Sequence, residues 1–76
     1  MKNLIEIVQQ IVPEINESNS DVLLDDGIID SLDIVRIVTV LEENYNIEIN
    51  ANDIIPENFN SINSIEALIK LKLNKF

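Results

Sequence analysis

The sequence predicts an all-α fold, a small four-helix bundle with three main helices and one short third helix. Three observations lead there. Apolar residues recur at helical spacing in three separate stretches of the 76-residue chain. Residues suited to helix caps stand ahead of the later stretches. The only β-like stretch, YNIEIN at 45–50, is short and has no second strand to pair with. Helices that must each bury one stripe then pack on one another.

The first helix rests on Leu4, Val8, Ile11, Val12 and Ile15, and it is expected to break or end near Pro13. NESNS at 16–20 reads as loop. Residues 21–29 place Val22, Leu23, Leu24, Ile28 and Ile29 around DDG, as a partly buried loop whose turn Gly27 permits. The second helix is expected to begin at Asp30 or Ser31, with Asp33 completing a capping-box pattern, and to run to about Asn44. Its run Leu32, Ile34, Val35, Ile37, Val38, Val40, Leu41 holds more apolar residues than one buried face needs. The surplus points to a face used by a partner or ligand. YNIEIN is expected as an extended loop with Ile47 and Ile49 turned inward. ANDII at 51–55 forms the short helix, capped by Asn50 or Asn52 and stopped before Pro56. PENFN is expected as loop with Phe59 as its anchor. Ser61 or Asn63 caps the last helix, which carries Ile62, Ile65, Leu68, Ile69 and either Leu71 or Leu73. Its lysines lie towards the C-terminal end, where the helix dipole favours them.

Composition narrows the function. A chain of this length is expected to form one domain over residues 1–76 with a modest core, which disfavours a deep catalytic pocket. It has no cysteine, so disulfides and thiolate metal sites are excluded. It has no histidine, the commonest general base and metal ligand. The aspartates near Gly27 do not form an EF-hand loop, because Val22 stands where the first ligand should be. The expectation is no enzyme activity and no metal site. The N-terminal stretch lacks a signal-peptide apolar core and no run reaches transmembrane length, so a cytoplasmic monomer without membrane insertion is expected.

Charge is concentrated. From Asp21 to Glu57 there are ten acids and one base, Arg36, while the four acids and four lysines elsewhere balance. Nucleic acid is a poor partner for that surface, and a protein with a basic patch is a good one.

Ser31 stands at the start of the second helix, where backbone N–H groups lack intrahelical acceptors. Those donors and the dipole favour an anion attached to its hydroxyl, although Asp30 and Asp33 oppose it. The acids fit that place better if they serve another molecule, by holding a metal ion or meeting basic side chains. The plainer reading is a serine in a cap region.

DSLDIVRIVTVLEENYNIEI, residues 30–49, resembles the attachment region of acyl carrier and peptidyl carrier proteins. In that family an Asp-Ser-Leu motif opens the second helix and its serine carries 4′-phosphopantetheine; here the motif is Asp30, Ser31 and Leu32. The likeness continues through the acidic pair Glu42 and Glu43, Tyr45, the short third helix and the last helix, and it covers essentially the whole chain. Many fatty-acid carriers place a glycine three positions before the serine, whereas Gly27 lies four before Ser31, and Arg36 stands where many keep an acid. DDGIIDSL and the tail IIPENFNSINSIEALI look more like stand-alone carriers of peptide-synthetase-like or D-alanyl systems.

The resemblance implies a carrier, itself without catalysis, that a phosphopantetheinyl transferase charges from coenzyme A at Ser31. It implies shuttling of thioester-bound acyl or aminoacyl groups between a loading ligase and downstream synthases or transferases in fatty-acid, polyketide or nonribosomal-peptide-type synthesis. D-alanyl transfer to cell-wall teichoic acid is the alternative within the family. It further implies that Asp30 and Asp33 meet the transferase's basic residues or its metal. Leu32 and Val35 would give apolar contact with partners, and Thr39 and Glu42 would extend that strip, with Ile37, Val38 and Leu41 in the core. A different class also fits the charge: an acidic module that binds a basic protein without covalent modification.

Overall fold

A computed structural model describes residues 3–74. Its helices are α1 (Leu4–Gln9), α2 (Ser31–Tyr45), α3 (Pro56–Phe59) and α4 (Ile62–Leu73), with a 3₁₀ turn at Ala51–Asp53. No strand occurs among the described residues. α1 packs on α2 and α4, α2 on α4, and α3 on α4.

α1 opens with a capping box: Asn3 Oδ1 accepts from Glu6 N at 2.9 Å, and Glu6 Oε1 accepts from Asn3 N at 3.2 Å. It ends at Gln9, earlier than the apolar spacing predicted. Pro13 has no N–H to continue the ladder and steers Val12 away from helix. The chain passes instead through turns, and Gln9 Nε2 donates to Ile15 O at 2.7 Å to hold them. Val12 and Ile15 are buried nonetheless. Their spacing reported the core face correctly and the helix length wrongly.

α2 is the longest element, and Asp30 caps it. Its buried side is Ile34, Ile37, Val38, Val40 and Leu41. Asn46 ends it in the left-handed region at φ 55°, a conformation asparagine tolerates, and its N–H donates to Glu42 O at 2.9 Å. The extended segment that follows is tied back to α2, because Glu42 Oε2 accepts from Ile49 N at 2.9 Å. Ile49 is buried and Ile47 half-buried, as their alternation predicted.

PENFN was expected as loop; Pro56–Phe59 instead forms one helical turn. Proline suits the first helical position, where its missing N–H has no acceptor to lose. A single turn is too short to show periodicity. Phe59 is fully buried and anchors the turn as expected.

Ser61 caps α4, its Oγ accepting from Ser64 N at 3.0 Å. Ile65, Leu68 and Ile69 face the core. Leu71 and Leu73 do not: they are 66% and 50% exposed. The next position on the buried stripe is Lys72, seven residues after Ile65. Its stem is covered, and its Nζ meets Asp53 Oδ2 at 2.6 Å, joining the end of α4 to the 3₁₀ turn. No helix among the described residues is long and apolar enough to cross a membrane.

Candidate functional site

The site is the junction of the 21–29 loop with α2. One distant residue, Asn60, makes four hydrogen bonds to its loop. Asn60 O accepts from Leu23 N at 2.9 Å, and Asn60 Oδ1 accepts from Leu24 N at 2.9 Å and Asp25 N at 3.2 Å. Asn60 Nδ2 donates to Asp25 Oδ2 at 3.1 Å. Beside it, Ile62 N donates to Ser20 O at 2.7 Å. Leu23 and Ile29 are buried, so apolar anchors and backbone bonds fix the loop together. Between them Gly27 takes φ +68°, where a side chain is strained even though a Cβ there would meet open space. The loop reading of 21–29 is therefore matched, with Leu24 and Ile28 half-buried.

The loop delivers the chain to a reciprocal cap. Asp30 Oδ1 accepts from Asp33 N at 2.9 Å, and Asp33 Oδ2 accepts from Asp30 N at 3.1 Å. Both aspartates thus have a local task in starting α2, and the acids suit the positive end of the dipole. Ser31 is the first helical residue. It is exposed, and its hydroxyl makes no hydrogen bond with any described residue. The amides of the first turn beyond those used by the cap have no intrahelical acceptor. An exposed, uncommitted hydroxyl beside free donors fits a covalently attached phosphodiester: nothing has to break for the oxygen to be used.

The residues implied as partner contacts divide. Asp30 and Asp33 flank Ser31, the first exposed and the second half-buried. Leu32 and Val35 are 58% and 56% exposed, large apolar side chains left uncovered just beyond the serine. Thr39 is exposed one turn further, its Oγ1 donating to Val35 O at 3.2 Å. Glu42 is half-buried, with its carboxylate engaged by Ile49 N, so it is turned towards the 46–50 segment. Ile37, Val38 and Leu41 are core, as expected.

Arg36 and Glu43, noted in the sequence as the lone base and half of an acidic pair, were not counted among the partner contacts. Both are exposed, and with Leu32 and Thr39 they recur at i, i+4, i+7 and i+11 along α2. That spacing was readable. Asn60 was not, because its partners lie 35 and 36 positions away. Among the described residues no three acidic side chains are grouped to hold a metal ion.

A hollow of about 280 Å³ lies at the far end of α2 between Asn3, Leu4, Tyr45, Glu66, Ile69, Lys70 and Leu73. Burial, and then the nearby Glu66 carboxylate, raise the Tyr45 hydroxyl above the usual tyrosine pKa. Tyr45 is about 21 Å of helix from Ser31, so this hollow is no part of the same site.

A family model described as "Phosphopantetheine attachment site" matches residues 2–69. No curated protein and no solved structure matches the chain.

Proposed function

The chain belongs to the phosphopantetheine-attachment family, and on that premise we propose that Ser31 is the serine that takes the group. The family is one of carriers: 4′-phosphopantetheine is attached covalently, and the domain performs no catalysis itself. It works with a phosphopantetheinyl transferase and with biosynthetic enzymes. The observation that carries the assignment is Ser31 itself, exposed and unbonded at the first position of α2, inside Asp30-Ser31-Leu32.

In the modification Ser31 Oγ bonds to the β-phosphorus of coenzyme A. The pyrophosphate bond breaks, adenosine 3′,5′-bisphosphate leaves, and the hydroxyl proton passes to the transferase. The cap made by Asp30 and Asp33 keeps the first turn of α2 formed, so Ser31 is presented in one geometry. The outward carboxylates there meet basic residues of the transferase. Once in place, the arm supplies a thiol that holds an acyl or aminoacyl group as a thioester. Tethering lets that group meet each partner site at high effective concentration. Leu32 and Val35 give those partners an apolar foothold beside the serine.

We further propose a carrier of acyl or aminoacyl groups in fatty-acid, polyketide or nonribosomal-peptide-type synthesis. Its partners are a loading ligase and downstream synthases with basic docking patches. The test is intact-mass spectrometry of the chain recovered from its own cells under mildly acidic conditions. The expected result is the arm plus a group that hydroxylamine releases, whose mass names the cargo; a D-alanyl mass would instead assign it to D-alanyl transfer. A chain that binds basic proteins but carries no arm would leave the acidic interaction module standing and overturn the carrier reading.

A further inference from the structure

We propose that Asn60 is a positioning residue for the modification of Ser31, acting through the 23–29 loop on the place where α2 begins. This rests on the carrier reading, because it concerns how the serine is presented to the transferase.

The first turn of α2 carries no buried side chain of its own. Ser31 and Leu32 are exposed and Asp33 is half-buried, so the nearest buried residues are Ile29 before the turn and Ile34 after it. The cap between Asp30 and Asp33 fixes the shape of the turn, since it joins residues three apart. It does not fix where the turn stands. Ile34 holds the turn from the helix side, and Ile29 holds it from the loop side. Helix ends fray, so the loop side decides how steadily Ser31 is presented.

Ile29 is tied to Leu23. Its N–H donates to Leu23 O at 3.0 Å and closes the loop at its base. Leu23 N–H in turn donates to Asn60 O at 2.9 Å. The Asn60 side chain takes the next two amides on Oδ1 and donates to the Asp25 carboxylate from Nδ2. These side-chain bonds set the direction in which the chain leaves Leu23. Asn60 is itself a firm support. Its N–H donates to Pro56 O at 3.0 Å, ending α3, and it stands between the fully buried Phe59 and Ser61, the cap of α4. A continuous set of bonds therefore runs from the α3–α4 junction through Leu23 and Ile29 to Asp30 and Ser31. Transfer of the arm needs Ser31 Oγ aligned on phosphorus, and a misplacement of about 1 Å costs about 100-fold in such a step.

The test is single-turnover arm transfer, well below the melting temperature. A broad-specificity phosphopantetheinyl transferase, coenzyme A and Mg²⁺ are in saturating excess over the full chain, so the rate reads transfer and not binding. Asn60→Ala is expected to slow transfer about fivefold or more, the weight of one hydrogen bond. It is also expected to shift the ¹⁵N-labelled amides of Ile29, Asp30 and Ser31. Ile65→Val, a core truncation on α4, is expected to lower the melting temperature and leave the transfer rate unchanged. Asn60→Asp keeps the acceptor for the Leu24 and Asp25 amides but sets two carboxylates together, so it is expected to be slow as well. Asn60→Asp combined with Asp25→Asn exchanges donor and acceptor across the same gap at the same net charge. It is expected to return the rate to that of Asp25→Asn alone. A wild-type rate in Asn60→Ala, slowing by Ile65→Val in step with its melting temperature, no recovery in the double variant, or an unmoved Ser31 amide would overturn the proposal. A wild-type chain that takes no arm would overturn the carrier reading and the proposal with it. The amide shifts, which need no transferase, tell the two failures apart.

Discussion

Asn60→Ala isolates the polar side chain that bonds the loop before Ser31 from across the fold. The backbone bond from Leu23 N to Asn60 O survives this change. What is lost is the acceptor for Leu24 N and Asp25 N and the donor to Asp25 Oδ2. The Asp25 amide and carboxylate are exposed, and water replaces their partner at little cost. The Leu24 amide is in a half-buried place, so it bears most of the loss. With a net contribution of about 1 kcal/mol per neutral bond, the total is about 1–2 kcal/mol. A chain of this length has a total stability of roughly 4–11 kcal/mol. The melting temperature should fall by about 5–15 °C, since each kcal/mol shifts a small domain by about 4–8 °C. Thermal unfolding by circular dichroism reads the size, and hydrogen exchange reads the place. The Leu24 amide should lose protection while α4 amides such as Leu68 change only with global stability. A loss under about 0.5 kcal/mol with Leu24 protection unchanged would refute the account of how this loop is held, since it is below the contribution of one such bond.

Three further outcomes follow from the geometry. Asp30→Ala, which removes the acceptor for Asp33 N, should lower stability by about 1 kcal/mol, whereas Asp30→Asn keeps a good cap and should nearly preserve it. Equal losses for the two in urea unfolding would deny that capping is the stabilising role of Asp30. Tyr45 should titrate above the ordinary value near 10 in an absorbance titration at 295 nm, and Glu66→Gln should lower its pKa only in part, because burial is the larger cause. The sign for stability is set by the native state holding this proton more tightly than the unfolded chain. The Tyr45 contribution is constant below the unfolded tyrosine pKa and falls as pH rises through it, and a rise there would contradict the shift. With nine net negative charges, the chain should melt higher as salt or Mg²⁺ is raised from low ionic strength; a flat or falling melting temperature would exclude self-repulsion as a weakness of the fold.

How much the sequence foretold depended on the range over which each residue acts. Asp30 and Asp33 are three residues apart and bond to each other, so the pattern alone located the start of α2. The surplus of apolar residues after Ser31 was equally readable, and Leu32 and Val35 are the ones left outside. Leu71 and Leu73 misled, because a leucine near the end of an apolar stripe looks like core. The inward place went to Lys72, whose stem packs and whose charge finds Asp53, a residue brought there only by the tertiary fold. Glu42 looked like one half of a surface acidic pair until folding turned it onto Ile49 N. Asn60 gave no local sign at all, since its four bonds to the 23–25 segment exist only once α3 and α4 close on the loop. Periodicity and caps were legible; long-range polar contacts were not.

Every other functional assignment depends on Ser31 Oγ being the atom that receives the arm. The most direct measurement is intact-mass and fragment mass spectrometry after incubating the chain with coenzyme A, Mg²⁺ and a broad-specificity phosphopantetheinyl transferase. One added phosphopantetheine is expected, located on the fragment containing Ser31 and absent from Ser31→Ala, with that variant still folded. An unmodified chain across several transferases, or the arm found on Ser18, Ser20, Ser61 or Ser64, would contradict it.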